Sequence, residues 1–321
     1  MVFKKMLAAF GVGGPSVDTV LDAAAARPGG FIDGQVHIQG GDREALIERV
    51  LLSLVTRVES DSFDREAGLE INRIPVAERF RVEAGEARSV PFRLPVPWET
   101  PITAVYGQRL PGMVMGVRTE LEVAGGRDKG DLDPIAIEPL PIHQSILDAF
   151  AELGFRFKSA DVEHGRIHGV QQQLPFFQEI EFWPPQQYAG RINEVELTFV
   201  TNPQGVEVIL EFDKRSGMFQ SGHDAYSRFG IAHAEATRTD WPRLVDGWIR
   251  EASDRHASHY GSHYDHGSYG GHGHGHPHGR RGPGMGTAIA AGAAGVVGGI
   301  VAGEMIEEAF FDDDEGGGFF E

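Results

Sequence analysis

The stretch Phe176-Phe177-Gln178-Glu179-Ile180-Glu181-Phe182 decides the fold class. Side chains of an extended strand alternate between its two faces, so Phe176, Gln178, Ile180 and Phe182 share one side and Phe177, Glu179 and Glu181 the other. Two later stretches repeat the period. Val195, Leu197 and Phe199 alternate with Glu194, Glu196 and Thr198, and Val206, Val208, Leu210 and Phe212 stand against Glu207 and Glu211. Successive strands with one apolar and one acidic face predict antiparallel sheet, buried on one side and solvated on the other. The carboxylates of Glu179, Glu181, Glu194, Glu196, Glu207 and Glu211 then line the outer side. They read either as a docking surface for a basic partner or as a solvated face whose like charge prevents edge-to-edge pairing.

Helical signals flank these strands. Ile146, Leu147, Phe150 and Leu153 form one stripe of a helix, Pro139-Leu140-Pro141 marks the change of period before it, and Gly154 supplies its left-handed stop. Downstream, Asp240 is placed as an N-cap with Pro242 in the first turn, and Leu244, Val245, Trp248 and Ile249 make an amphipathic last helix. Folded structure is expected to stop near Ser253.

Upstream, Ser16 to about Glu138 consists of short alternating runs broken by turns, as an all-β sandwich reads. Arg27-Pro28-Gly29-Gly30 turns into a strand over Phe31–Ile38, and Gly40-Gly41 ends it. Leu46 to Glu59 is apolar enough for helix or strand, and Val50, Val55, Thr56 and Val58 favour a long strand. Ser89 to Pro97 holds three prolines, which cannot donate to a ladder, so it belongs at a sheet edge. Met113 to Val123 alternates again, with Val117, Leu121 and Val123 inward. The fold class is therefore all-β: two tandem antiparallel β-sandwich domains, 1–140 and 141–254, with a helix opening the second half, a C-terminal helix, and a low-complexity, largely flexible tail over 255–321. The linker near Pro139–Ile142 marks a groove between the domains, where relative motion is expected.

Composition restricts the function. Of 321 residues, 41% are hydrophobic and 24% charged, which fits a soluble globular chain. A net charge of −18 repels phosphate backbones, so nucleic acid is not an expected partner. No cysteine is present, which excludes disulfides, thiolate metal sites and a cysteine nucleophile. The apolar run in Met1–Phe10 is stopped by Gly11, Gly13, Gly14 and Pro15, too short for a signal peptide, so the expected address is the cytoplasm.

No catalytic motif stands out: there is no G-x-S-x-G, P-loop, H-E-x-x-H or strand-linked G-x-G-x-x-G. Ser221, His223 and Asp224 are neighbours in a Gly-rich loop and read as a solvated turn. Asp128, Asp131 and Asp133 lack EF-hand spacing and its terminal Glu, and read as loop acids. His164 and His168 stand beside Gly165 and Gly169 and read as loop or strand-edge residues. The protein is read as not an enzyme.

The tail carries the strongest chemical signal. His256, His259, His263 and His266 recur every three or four residues, and His272, His274, His276 and His278 alternate with small residues. Imidazoles on a glycine-rich chain suit Zn, Ni or Cu, although no cofactor is required by the rest of the sequence. From Gly282 to Gly303 the chain is uncharged, and Gly295, Gly299 and Gly303 form a G-x-x-x-G-x-x-x-G ridge. That run fits membrane contact, self-association through the ridge, or a simple tether.

Several stretches resemble one family, the sporulation-control SpoOM family. They are Phe3-Lys4-Lys5-Met6-Leu7-Ala8, Val17-Asp18-Thr19, the hairpin from Arg27-Pro28-Gly29-Gly30 to Gly40-Gly41, and Leu51-Leu52-Ser53-Leu54. Leu94-Pro95, Glu99-Thr100-Pro101-Ile102-Thr103, Leu153-Gly154-Phe155-Arg156, Leu174 to Phe182 and Glu211-Phe212-Asp213-Lys214-Arg215 continue the likeness to about residue 250, and the tail lies outside it. The resemblance implies an arrestin-like fold, no catalytic centre and a regulatory role. The resulting expectation is a non-enzymatic regulatory scaffold that docks protein partners. The competing expectations are a divalent-metal binding or storage protein acting through the His-rich tail, and a membrane-associated adaptor.

Overall fold

A computed structural model describes residues 13–58, 67–188, 192–212 and 226–261. The first half contains β1 (Ser16–Leu21), β2 (Ala25–Ala26), β3 (Phe31–Gln39), β4 (Ala45–Val58), β5 (Ala67–Val82), β6 (Ala87–Pro95), β7 (Ala104–Val105), β8 (Gln108–Arg109), β9 (Met115–Val123), β10 (Lys129–Pro134) and β11 (Ala136–Ile137). Two antiparallel sheets, β1-β3-β6 and β10-β9-β4-β5, face each other. Val17, Val36, Ile38 and Leu94 from one meet Ile47, Leu52, Leu54, Val117 and Leu121 from the other in a single core. This is the antiparallel sandwich that the alternation predicts.

β4 explains its own ambiguity. From Val50 to Thr56 every residue is buried, because the strand lies between β9 and β5 and is covered on both faces. Such a strand loses the polar half of its alternation, and only its β-branched residues separate it from a helix. β6 is the edge strand that its prolines require, with Pro91 opposite Gln35 and Pro95 opposite Phe31 of β3. The other long edge, β5, is interrupted by two register shifts against β4 and by Pro75, devices that blunt an exposed edge.

The second half contains α1 (Pro141–Glu152), β12 (Arg156–His164), β13 (Phe176–Trp183), β14 (Val195–Thr201), β15 (Gly205–Phe212), β16 (Tyr226–Ala232) and α2 (Trp241–Gly261). Its five strands form one antiparallel sheet in sequence order. The layer facing that sheet is helical: Ile146 and Phe150 of α1 and Val245, Trp248 and Ile249 of α2 pack on Ile180, Val195, Leu197, Val208 and Leu210.

Both helices begin and end where local chemistry dictates. α1 starts at Pro141, where a missing N–H costs nothing. It ends in a Schellman turn, with Gly154 at φ +87°, Gly154 N–H donating to Ala151 O, and Phe155 N–H donating to Phe150 O. The Phe150 and Phe155 rings, 5.1 Å apart, supply the apolar contact that accompanies this motif. α2 is capped by Asp240, whose Oδ1 accepts the Arg243 N–H at 3.3 Å. It runs on to Gly261 rather than stopping near Ser253. Residues 254–260 contain no helix breaker, which lets the helix continue past Ser253.

A second expectation is corrected by the sheet. The alternation in β13, β14 and β15 assigns the helix-facing side correctly, but the opposite side is only partly solvated. Ile167, Phe177, Val200 and Ile209 form a small apolar cluster there, and Glu179 and Glu196 are only 3% and 2% exposed.

Candidate functional site

The seam between the halves is built from side chains aimed across it. Gln178 on β13 reaches the first half, its Oε1 accepting the Ile102 N–H at 2.9 Å and its Nε2 donating to the Ile102 carbonyl at 2.7 Å. Gln178 and Ile102 are both buried, so one amide satisfies both polar groups of a backbone residue away from water. Glu99 repeats the device nearer the surface. Its carboxylate accepts the backbone N–H of Gln173 at 2.8 and 2.9 Å and that of Leu174 at 2.8 Å. Trp98 lies against His233, with ring centroids 5.4 Å apart. Met113 of the first half is buried in the core of the second, and Ile142 beside the linker is 1% exposed. The groove expected near Pro139–Ile142 is therefore a packed, hydrogen-bonded joint.

The acidic side of the second sheet has an unusual register. Glu181 pairs with Glu196, Glu196 with Glu211, and Asp161 with Glu179, so like charges stand directly opposite across four strands. Asp161, Glu163 and Glu179 bring carboxylate oxygens within 4.8 Å of one another, as do Glu179, Glu196 and Glu211, and Glu181, Glu194 and Glu196. Hard oxygen donors at such spacing are of the type that holds Ca²⁺ or Mg²⁺. At one end Lys158 reaches Glu181 at 2.7 Å and also Glu194, and its ammonium lies over the Trp183 ring. Burial alone would lower the Lys158 pKa, and these two carboxylates more than reverse that and raise it. The sequence placed Glu179, Glu181, Glu194, Glu196, Glu207 and Glu211 on one face. It carried no sign that Lys158, Asp161 and Glu163 join them, because strand register is not readable from one chain.

His143 of α1 is also new. It is 1% exposed, its Nε2 lies 2.8 Å from Thr201 Oγ1, and its ring stacks on Phe199 at 4.6 Å. Burial, reinforced by the nearby His233, lowers its pKa to about 3 and keeps the ring neutral. A shallow groove of about 510 Å³ opens between β16 and α2, over the stacked Phe229 and Trp248 rings and Leu244 and beside Asp240, Arg243 and Glu251. Among the described residues β16 is the last strand of its sheet, so this groove runs along a sheet edge.

The tail sites are barely reached. His256 and His259 fall on the backbone of α2 rather than in a loop. His263, His266, His272, His274, His276, His278, Gly295, Gly299 and Gly303 lie outside the described residues, as do Ser221, His223 and Asp224. Among the described residues no helix is long and apolar enough to cross a membrane. Asp131 and Asp133, read as loop acids, are on strand β10.

Comparison with known proteins places this architecture. The family model described as SpoOM protein matches residues 3–216. The sporulation-control protein Spo0M of Bacillus subtilis (strain 168) is 36% identical over 218 residues, which is 67% of this chain and 81% of the relative. The crystal structure of Spo0M from Bacillus subtilis superposes with a TM-score of 0.66 at 30% identity, covering 76% of this chain and 99% of that one. The arrestin-like arrangement of antiparallel sheets is shared between them. The chain belongs to the SpoOM family of sporulation-control proteins.

Proposed function

We propose that this protein is a non-enzymatic regulator that acts by docking protein partners on a two-part platform. The observation that carries this reading is the 36% identity to the Bacillus subtilis sporulation-control protein over 218 residues. The geometry agrees with it: the joint made by Gln178, Glu99 and Met113 fixes two sheet systems relative to each other. The β16 edge and its apolar groove offer a place where an extended or helical segment of a partner finds both hydrogen bonds and apolar area. The His-rich tract and the glycine ridge then add metal affinity and self-association or membrane contact to the platform, without being its centre.

The test is complementation of a Bacillus subtilis strain lacking its own sporulation-control protein. Full-length protein and a 1–261 truncation are expected to restore control of sporulation equally, and a chelator to leave both unaffected. Leu244→Glu, which places a charge in the groove, is expected to abolish complementation while leaving the thermal transition in place. Complementation by the full chain alone would shift the mechanism to the tail, and complementation by Leu244→Glu would remove the groove from it.

A further inference from the structure

Asp131 and Asp133 occupy a position in the first sandwich where charge is not expected. They lie two residues apart on β10, opposite Thr119 and Val117 of β9. Directly opposed residues of an antiparallel ladder share a face, and Thr119 and Val117 are both fully buried. The two carboxyls therefore point inward from an edge strand, toward β1. β1 and β10 are the edges of different sheets, and no ladder joins them. Side chains close the gap. Thr19 of β1 donates its backbone N–H to Asp131 Oδ2 at 2.6 Å, and its hydroxyl lies 2.6 Å from Thr119 Oγ1. Asp131 Oδ1 accepts the Leu132 N–H at 3.0 Å, while Asp133, on the same face of β10, keeps its Oδ2 buried with no hydrogen-bond partner. Two carboxylates have no donor between them, so holding both out of water side by side, one oxygen buried without a partner, calls for a shared proton.

We propose that Asp131 and Asp133 are a proton-sharing pair that makes closure of the β1–β10 seam pH-dependent: the seam is tight while the pair holds one proton and loosens when that proton leaves. The surrounding charges favour retention of the proton. Asp18 is the charged residue of β1 and adds repulsion, while β9 presents only the neutral Val117 and Thr119 on this face, with Arg118 and Glu120 on the other. Lys129, two residues before Asp131, reaches toward Gly14, its Cε lying 3.8 Å from the Cβ position there. Burial is the main cause that raises the Asp133 pKa to about 7, and the neighbouring Asp131 charge adds to it. Burial also raises Asp131. The folded chain thus holds a proton that the unfolded chain releases near the ordinary aspartate value of 3.8. The stabilisation from this pair is complete below that value and is lost as pH rises through about 7. A loosened β1 leaves the β10 edge open to pairing with another strand, which ties exposure of this edge to pH independently of the docking groove.

Hydrogen exchange on the full chain tests this. With rates corrected for intrinsic pH dependence, amides of residues 16–21 are expected to lose protection by about tenfold between pH 6 and pH 8, while those of β4 do not change. Asp133→Asn supplies Asp131 with a permanent donor and is expected to hold the same protection at both pH values. Wild-type protection that ignores pH, or an Asp133→Asn chain that keeps the wild-type loss, overturns the proposal. Carbon-13 NMR of the aspartate carboxyls in the wild-type chain gives a reading that needs no variant: one carboxyl is expected to titrate between pH 6 and 8, and none doing so overturns it as well.

Discussion

The two halves use acidic residues in opposite ways. In the first half, carboxylates on the outer faces are met by arginines: Asp33 by Arg93, Glu122 by Arg49, Glu44 by Arg81, Glu138 by Arg27, and Glu120 by both Arg73 and Arg118. In the second half, strand register places carboxylate opposite carboxylate, with Lys158 bound at one end of the track and Arg228 beside Glu207. Exposed pairs in water contribute little to stability, whereas charge held out of water is strongly felt. The same overall acidity therefore dresses the first half and constrains the second. The two buried titrating features also oppose each other: Asp133 loses its proton as pH rises, and His143 resists gaining one as pH falls.

The largest expected effect lies in the second core. Phe150 is completely buried between Phe155 and Phe182, and Phe150→Ala should cost about 3–5 kcal/mol in denaturant unfolding. Next is the joint. Gln178→Ala leaves the Ile102 N–H and carbonyl buried without their partner, and should cost about 2–3 kcal/mol. The acid response of His143 follows. Its folded pKa is lowered from 6.5 to about 3, so the unfolded chain takes up a proton that the folded chain refuses as pH falls through that window. Stability should drop by up to about 1.4 kcal/mol for each pH unit below 6.5, and His143→Gln should remove that one-proton slope. The smallest effect belongs to the first half's surface: Arg49→Ala, which breaks the exposed pair with Glu122, should leave the melting temperature unchanged.

Much of this architecture was legible in the residues. Alternation in Phe176–Phe182 assigned the helix-facing side of β13, Gly154 marked the end of α1, and the prolines of β6 put it at an edge. These signals are local, arising from side-chain period, left-handed backbone and a missing donor. What could not be read is relational. Gln178 looks like one more polar residue at the start of a strand until Ile102 stands opposite it. Glu179 and Glu196 look solvated until the sheet's second face is packed. Asp131 and Asp133 look like loop acids until β1 closes over them. The helical reach of α2 past Ser253 is legible in the residues, since 254–260 hold no helix breaker.

The central claim is that the two halves behave as one platform through the Gln178 and Glu99 joint, and calorimetric unfolding tests it most directly. Wild-type protein is expected to unfold in one cooperative transition, and the double variant Glu99→Ala, Gln178→Ala to split it into two. Two independent transitions already present in the wild type and unmoved by the double variant would contradict the account.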